Sequence, residues 1–285
     1  MSEVKNKENI EYTLKPELTT RVALGVEYEG SNYCGWQYQA HSPSVQEALQ
    51  SALAKIADHE VVVQGSGRTD TGVHALGQVV HFDTLSVRTM DAWVRGTNRY
   101  LPNDIKVKWA KIVPNHFNAR YSALSRRYRY LIYSSPVPPG IMHQGVTWVP
   151  YRLDVSAMSQ AASALVGTHD FTSYRATGCQ AKSPIRTLDE VSVVSSGDCI
   201  AIDVMGNAFL HHMVRNIAGV LIQIGRGIKP VSWSADVLSA RDRSAGGKTA
   251  SPKGLYLVYI DYPEDFELPN NKAVSWFFNQ KPPIF

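Results

Sequence analysis

Twice along this chain the apolar pattern switches between a two-residue and a 3.6-residue period, and both times in the same order. Arg21 to Tyr28 reads as a strand ending at Gly30-Ser31-Asn32. Ser44, with Glu47 three residues on, is a capping box, and Val45, Leu49, Ala52, Leu53 and Ile56 form the apolar stripe of the helix it starts. The run Val61-Val62-Val63 and the alternating Gln78 to Asp83 predict two strands. Met90 to Leu101 predicts a helix with Met90, Trp93, Val94 and Leu101 on one side, stopping before Pro102. Ile105 to Ile112 alternates as a strand. Strand, helix, strand, strand, helix, strand is the order of a ferredoxin-like βαββαβ unit.

The second half repeats that order. Arg126 to Tyr133 is a strand, and Asp154 or Ser156 caps a helix carrying Val155, Met158, Ala162 and Leu165 and closed by Gly167. Leu188 to Val194 and Cys199 to Val204 form a hairpin around Ser195-Ser196-Gly197-Asp198. An apolar helix runs from Phe209 to Ile224, and Leu255 to Asp261 closes the series. The expectation is an α+β chain of two ferredoxin-like halves, 21–115 and 116–263, with a cleft between them for a long substrate. The repeat lies in element order, not in residue identity. A polar mobile tail is expected over 1–20, and a loosely packed extension rich in Pro and Asn over 264–285.

Composition excludes several classes. No apolar run approaches bilayer length and Met1 to Asn9 is polar, so a cytoplasmic protein with no membrane partner is expected. Cys34, Cys179 and Cys199 are widely spaced with no CxxC pair, which argues against a zinc site or a disulfide framework. Gly247-Lys248-Thr249 falls short of a phosphate loop because Asp242 stands where the first Gly belongs. His211-His212 lacks the zinc-protease spacing, and there is no GxGxxG, so no metal, nucleotide or flavin cofactor is expected. A net charge of +4 predicts little by itself. Its distribution says more: Arg120, Arg126, Arg127, Arg129, Arg175, Lys182 and Arg186 crowd the middle of the chain, either as a solvated face or as a phosphate-facing stripe.

Three stretches carry candidate chemistry. Gly65-Ser66-Gly67-Arg68-Thr69-Asp70-Thr71-Gly72-Val73-His74-Ala75 lies between two expected strands, with glycines that permit close approach of another molecule. Arg68 and Asp70 are two apart, so an extended backbone points both to one side, where the cation keeps the carboxylate ionised as a nucleophile or base. On the strand from Ser125 to Tyr133, Arg126, Tyr128, Tyr130 and Ile132 share one face and Arg127, Arg129, Leu131 and Tyr133 the other. Guanidinium groups beside rings suit RNA phosphates and unstacked bases, although tyrosine is also ordinary on a half-buried strand. Leu210, Met213, Val214, Ile217 and Leu221 form the stripe of the apolar helix, with His211 and Arg215 one turn apart on another side. An arginine there needs a partner, which a purely structural salt bridge would also supply.

The stretch GRTDTGVHALGQVVHF resembles the signature of the tRNA pseudouridine synthase A family, with Thr71 where many members have Ala. GVEYEGSNYCGWQ, SRRYRYLIY, HDFTSYRA, HHMVRN and GLYLV resemble further motifs of that family in the same order, over nearly the whole chain after the tail. The resemblance implies the pseudouridine synthase catalytic fold with a central, mostly antiparallel sheet. It also implies isomerisation of uridine to pseudouridine at tRNA positions 38, 39 and 40, by a homodimer that uses no cofactor. It casts Asp70 as the catalytic carboxylate, Arg215 as its partner and Tyr128 as the ring stacked on the target base. Leu255 would line the uracil pocket; the residue pattern itself adds the expectation that Arg68 lies beside the substrate and that Arg126, Arg127 and Arg175 meet RNA. The competing expectations are a non-catalytic RNA-binding or RNA-chaperone module, and a metal-free hydrolase using Asp70 with His74.

Overall fold

The structure, a computed structural model, describes residues 19–269. The expected N-terminal tail up to residue 18 and the extension from 270 onward lie outside the described residues. In chain order the elements are β1 (Thr20–Tyr28), α1 (Val45–Ala57), β2 (Gln64–Gly65), β3 (His74–Thr84), a π-helical turn (Ala92–Gly96) running into α2 (Thr97–Tyr100), and β4 (Ile105–Val113). Then follow β5 (Ser125–Ser134), β6 (Thr147–Val149), α3 (Val155–Ser163), β7 (Gly167–Asp170), β8 (Ile185–Ser196), β9 (Cys199–Gly206), α4 (Met213–Gly225), α5 (Trp233–Ala240) and β10 (Leu255–Asp261).

All ten strands belong to one sheet, ordered β4-β1-β3-β10-β5-β9-β8-β7, with β2 on β3 and β6 on β5. Pairing is antiparallel except for β10 on β3 and β6 on β5, so the sheet is mostly antiparallel. β10 is the joint. It sets Tyr256 and Leu257 against His74 and Ala75 on one side and pairs with β5 from Ser125 to Tyr130 on the other. Two hydrophobic cores flank that joint. Leu24, Leu49, Leu53, Phe82 and Trp93 anchor the first, together with Leu257 and Ile260 of β10. Tyr130, Met158, Phe171, Ile202 and Leu221 anchor the second, together with Leu255. Each such buried side chain stabilises the fold by about 1.5–3 kcal/mol relative to exposure. No helix among the described residues is long and apolar enough to cross a membrane.

Several elements differ from expectation for identifiable reasons. Ser44 caps α1 as its spacing predicts, accepting from the Glu47 N–H. The valine run before the loop is not a strand. The Gln46 and Gln50 side chains of α1 take the carbonyl and N–H of Val63 (2.8 and 3.0 Å), leaving only Gln64–Gly65 to pair with β3. Gly167 does not close α3; at φ +108° it opens β7, an unexpected edge strand. The apolar helix begins at Met213 rather than Phe209, because His212 adopts a left-handed conformation (φ 61°) that a helix cannot continue through. The start of the extension does not pack loosely: Phe266 is buried, its ring 5.0 Å from that of Phe117.

Candidate active site

The Asp70 loop is held from inside by the segment that follows β1. Thr69 turns inward, its carbonyl accepting from the Trp36 N–H (3.0 Å) and its hydroxyl bonded to Tyr28 Oη (2.8 Å). Gly72 (φ +76°) donates to the Tyr33 carbonyl, and the Asp70 carbonyl accepts from Val73. Gly35 (φ +90°) passes so close that a β-carbon there would lie 2.5 Å from the Thr69 oxygen. Gln78 of β3 ties the base of the loop, bonding the Ser66 hydroxyl and the Gly67 carbonyl. These supports were missed in the sequence. Their only signal was Gly35-Trp36, inside a stretch that carries the family resemblance.

The inward turn of Thr69 separates the two residues expected to pair. Arg68 is exposed and forms no hydrogen bond or ion pair among the described residues. Asp70 takes its cation from Arg215, whose Nη1 lies 3.0 Å from Asp70 Oδ2. Arg215 stands in the first turn of α4, and its Nε donates to the Ala250 carbonyl at 2.9 Å. Gly247, Lys248 and Thr249, set aside above as a failed phosphate loop, form a strap that fixes this turn. The Lys248 carbonyl sits where a β-carbon on Gly219 would be 2.1 Å away, and buried Asn216 accepts from Thr249 Oγ1 and Arg243.

Two histidines close on the same carboxylate. His211 Nε2 is 3.3 Å from Oδ1 and His212 Nε2 is 3.3 Å from Oδ2; the Asp70 side chain keeps 22% exposure. Burial chiefly lowers the pKa of His212; Asp70 opposes that shift, while Arg215, His211 and Arg243 reinforce it. Its ring is therefore neutral at neutral pH. The left-handed backbone of His212 costs of order 1–3 kcal/mol. No ligand set was evident in the sequence, but the fold places donor atoms of Asp70, His211 and His212 within 4.8 Å of one another. The Arg215 guanidinium on the same carboxylate opposes a second cation there.

Tyr128, on β5, packs edge-on against Phe209 (centroids 4.9 Å apart, 76°), and Leu255 is buried at the start of β10. Burial pushes the Tyr128 hydroxyl up to about 12; the Asp70 charge adds to this and Arg126 opposes it. The ring therefore enters any chemistry with its proton in place. The arginines fall into two groups. Arg126 is spent on the carbonyls of Arg120 (2.7 Å), Asn207 (2.9 Å) and Ser66 (3.2 Å), and Arg127 pairs with Glu190. Arg175 is half-buried, and its side chain forms no hydrogen bond or ion pair among the described residues. His74 is not a partner for Asp70: it accepts from the Gly30 N–H, stacks on Tyr256 and faces the Gln144 and Lys253 carbonyls.

A family model described as tRNA pseudouridine synthase matches residues 25–122 and 161–263. A tRNA pseudouridine synthase A from Pseudomonas aeruginosa is 56% identical over 266 residues, covering 93% of each chain. Those from Shewanella piezotolerans (53%, over 87% of this chain and 95% of the relative) and Legionella pneumophila (49%, over 92% and 100%) are similar along their lengths as well. With a family model matching well over half of it and relatives of this identity along most of its length, the chain belongs to the tRNA pseudouridine synthase family.

Proposed function

We propose that this protein isomerises uridine to pseudouridine in the anticodon stem-loop of tRNA, at positions 38, 39 and 40. The observation that carries the reading is the Asp70 carboxylate, part-buried and bonded by Arg215, with Tyr128 close enough to feel its charge. In the reaction the N1–C1′ bond breaks, the uracil turns and a C5–C1′ bond forms, while C5 loses a proton and N1 gains one. Nothing is oxidised and no group is donated, so this stoichiometry requires no redox partner. Asp70 supplies the anion as nucleophile or base, and Arg215 aligns it. Tyr128 stacks on the flipped base, Leu255 lines the uracil pocket, and the exposed Arg68 and the half-buried Arg175 meet phosphate.

The chain is further read as two ferredoxin-like halves, 21–115 and 116–263, with a cleft between them. Support comes from strand order: β4-β1-β3 with β2 at its edge, and β10-β5-β9-β8, follow the same fourth-first-third-second sequence. Of the two segments matched by the family model, 161–263 lies in the second half, and 25–122 covers most of the first and runs seven residues past its end. A cytoplasmic homodimer whose two subunits share the tRNA completes the proposal.

The test is pseudouridine mapping in unmodified tRNA after incubation with wild type and with Asp70→Asn. Modification at positions 38–40 by wild type alone is the expected result. Tight binding without modification by either protein would favour the RNA-chaperone alternative, and full activity of Asp70→Asn would reject the assignment of the carboxylate.

A further inference from the structure

We propose that His212 is a positioning residue for Asp70, its imidazole held against the carboxylate by the left-handed turn that opens α4. The inference rests on the reading of Asp70 as the reacting carboxylate.

His212 stands at the N-cap of α4, yet its side chain makes no capping hydrogen bond. Ser, Thr, Asp or Asn would cap there, and Gly or Asn would adopt φ 61°, ψ 6° with the least strain. Histidine is not a capping residue, and although it enters the left-handed region more readily than most side chains it still does so at a cost. Its ring does not fill the core either, since 29% of the side chain remains exposed. What the ring does is place Nε2 at 3.3 Å from Asp70 Oδ2, the oxygen that Arg215 Nη1 also reaches, while His211 covers Oδ1.

The turn is over-determined, which is what allows a strained residue to persist. The His211 carbonyl accepts from the Ala176 N–H, the His212 carbonyl from Asn216, and the Leu210 carbonyl from Met213, at 2.9, 2.9 and 3.0 Å. The segment at Ala176 and the first turn of α4 thus hold this turn from two sides.

Its charge state suits the role. The groups facing the ring are Asp70 from the loop, Arg215 from α4, neighbouring His211, and Arg243 from the turn after α5. Burial and these cations keep the imidazole neutral, so its Nε2 lies 3.3 Å from the carboxylate without adding charge. A second full cation would stabilise the carboxylate further and blunt it as a base or nucleophile. A neutral ring orients it and leaves its reactivity intact.

The test compares His212→Gly, His212→Asn and Asp70→Asn with wild type, reading kcat and KM for pseudouridine formation on unmodified tRNA, together with melting temperature. His212→Gly removes ring and strain together. Its melting temperature should equal or exceed that of wild type, while kcat falls by about 10–100-fold at unchanged KM. His212→Asn tolerates the left-handed backbone and offers an N–H donor, so it should recover part of the lost kcat. Wild-type kcat in His212→Gly would overturn the inference. So would a fall in melting temperature in step with activity, or a rise in KM at unchanged kcat, which would make the residue structural or RNA-binding. Activity in Asp70→Asn would instead reject the underlying reading of the carboxylate.

Discussion

Arg215 reaches Asp70 across 145 positions of sequence and bonds its Oδ2 at 3.0 Å, while the same guanidinium is pinned to the Ala250 carbonyl. Two bonds from one planar group fix its plane as well as its position, which an ammonium cannot reproduce. Arg215→Lys should keep the fold and lose about 10²-fold in kcat, and Arg215→Ala about 10²–10³-fold. Arg215→Ala should also unfold more easily, by about 1–3 kcal/mol, because Asp70 is only partly hydrated. Single-turnover rates and urea midpoints measure the two effects, and a double-mutant cycle with Asp70→Asn should show strong coupling.

The arginines should divide in salt titrations. Arg68 and Arg175 have unpaired side chains among the described residues. Replacing either with Ala should reduce the slope of log K against log salt by about 1. Arg126 is committed to three carbonyls, among them that of Ser66 at the base of the Asp70 loop. Arg126→Ala should lower the melting temperature and leave the slope unchanged. Filter binding from low to moderate salt decides between these outcomes.

Gly35→Ala should be among the most damaging single-methyl changes near the site. The added carbon would lie 2.5 Å from the Thr69 oxygen on a backbone at φ +90°, so the loop carrying Asp70 must shift. A loss of about 1–3 kcal/mol in stability is expected from the backbone alone, with turnover reduced at least about 10-fold. Gly67→Ala is the control: no atom lies within 4 Å of its built β-carbon, and it should retain near wild-type stability and rate.

Stability should fall with acid before the carboxylates titrate. Burial lowers the His81 pKa to about 4, against about 6.5 unfolded, and its Nδ1 accepts from the Ala119 N–H. Between those values the unfolded chain binds the extra proton. The stabilisation is therefore complete above about pH 6.5 and drains away toward pH 4, by up to about 3 kcal/mol for this one residue. His74, also buried and lowered, acts in the same direction. Urea midpoints at pH 7 and pH 5 should differ for wild type, and differ less for His81→Asn, which keeps an acceptor but cannot titrate.

What could be read from the sequence was local. Period and capping located β1, α1, β4, β5, β8 and β9, and the glycines around Arg-Thr-Asp marked the loop as unusual. Failures arose wherever long-range contacts decide. Two-residue spacing put Arg68 with Asp70, but the bonds to Trp36 and Tyr28 turn Thr69 inward, and the true partner comes from the far end of the chain. The histidine pair looked like part of a helix, because a left-handed residue at 212 has no signature in an apolar pattern. Strap 247–249 resembled a ligand loop for want of any sign that Gly219 lies beneath it. β6 and β7, three and four residues long, are too short for a period to register.

The position of β10 has a temporal consequence. The ribosome makes this strand after every other strand described, yet it alone bonds both β3, which follows the Asp70 loop, and β5, which carries Tyr128. β1 to β4 and β5 to β9 are joined in the sheet through β10, so the two groups cannot be brought together as they stand in the fold until the segment up to Asp261 has cleared the exit tunnel. Because Leu257 and Ile260 belong to one core and Leu255 to the other, a chain stopped before residue 255 would lack the joint and part of each core at once.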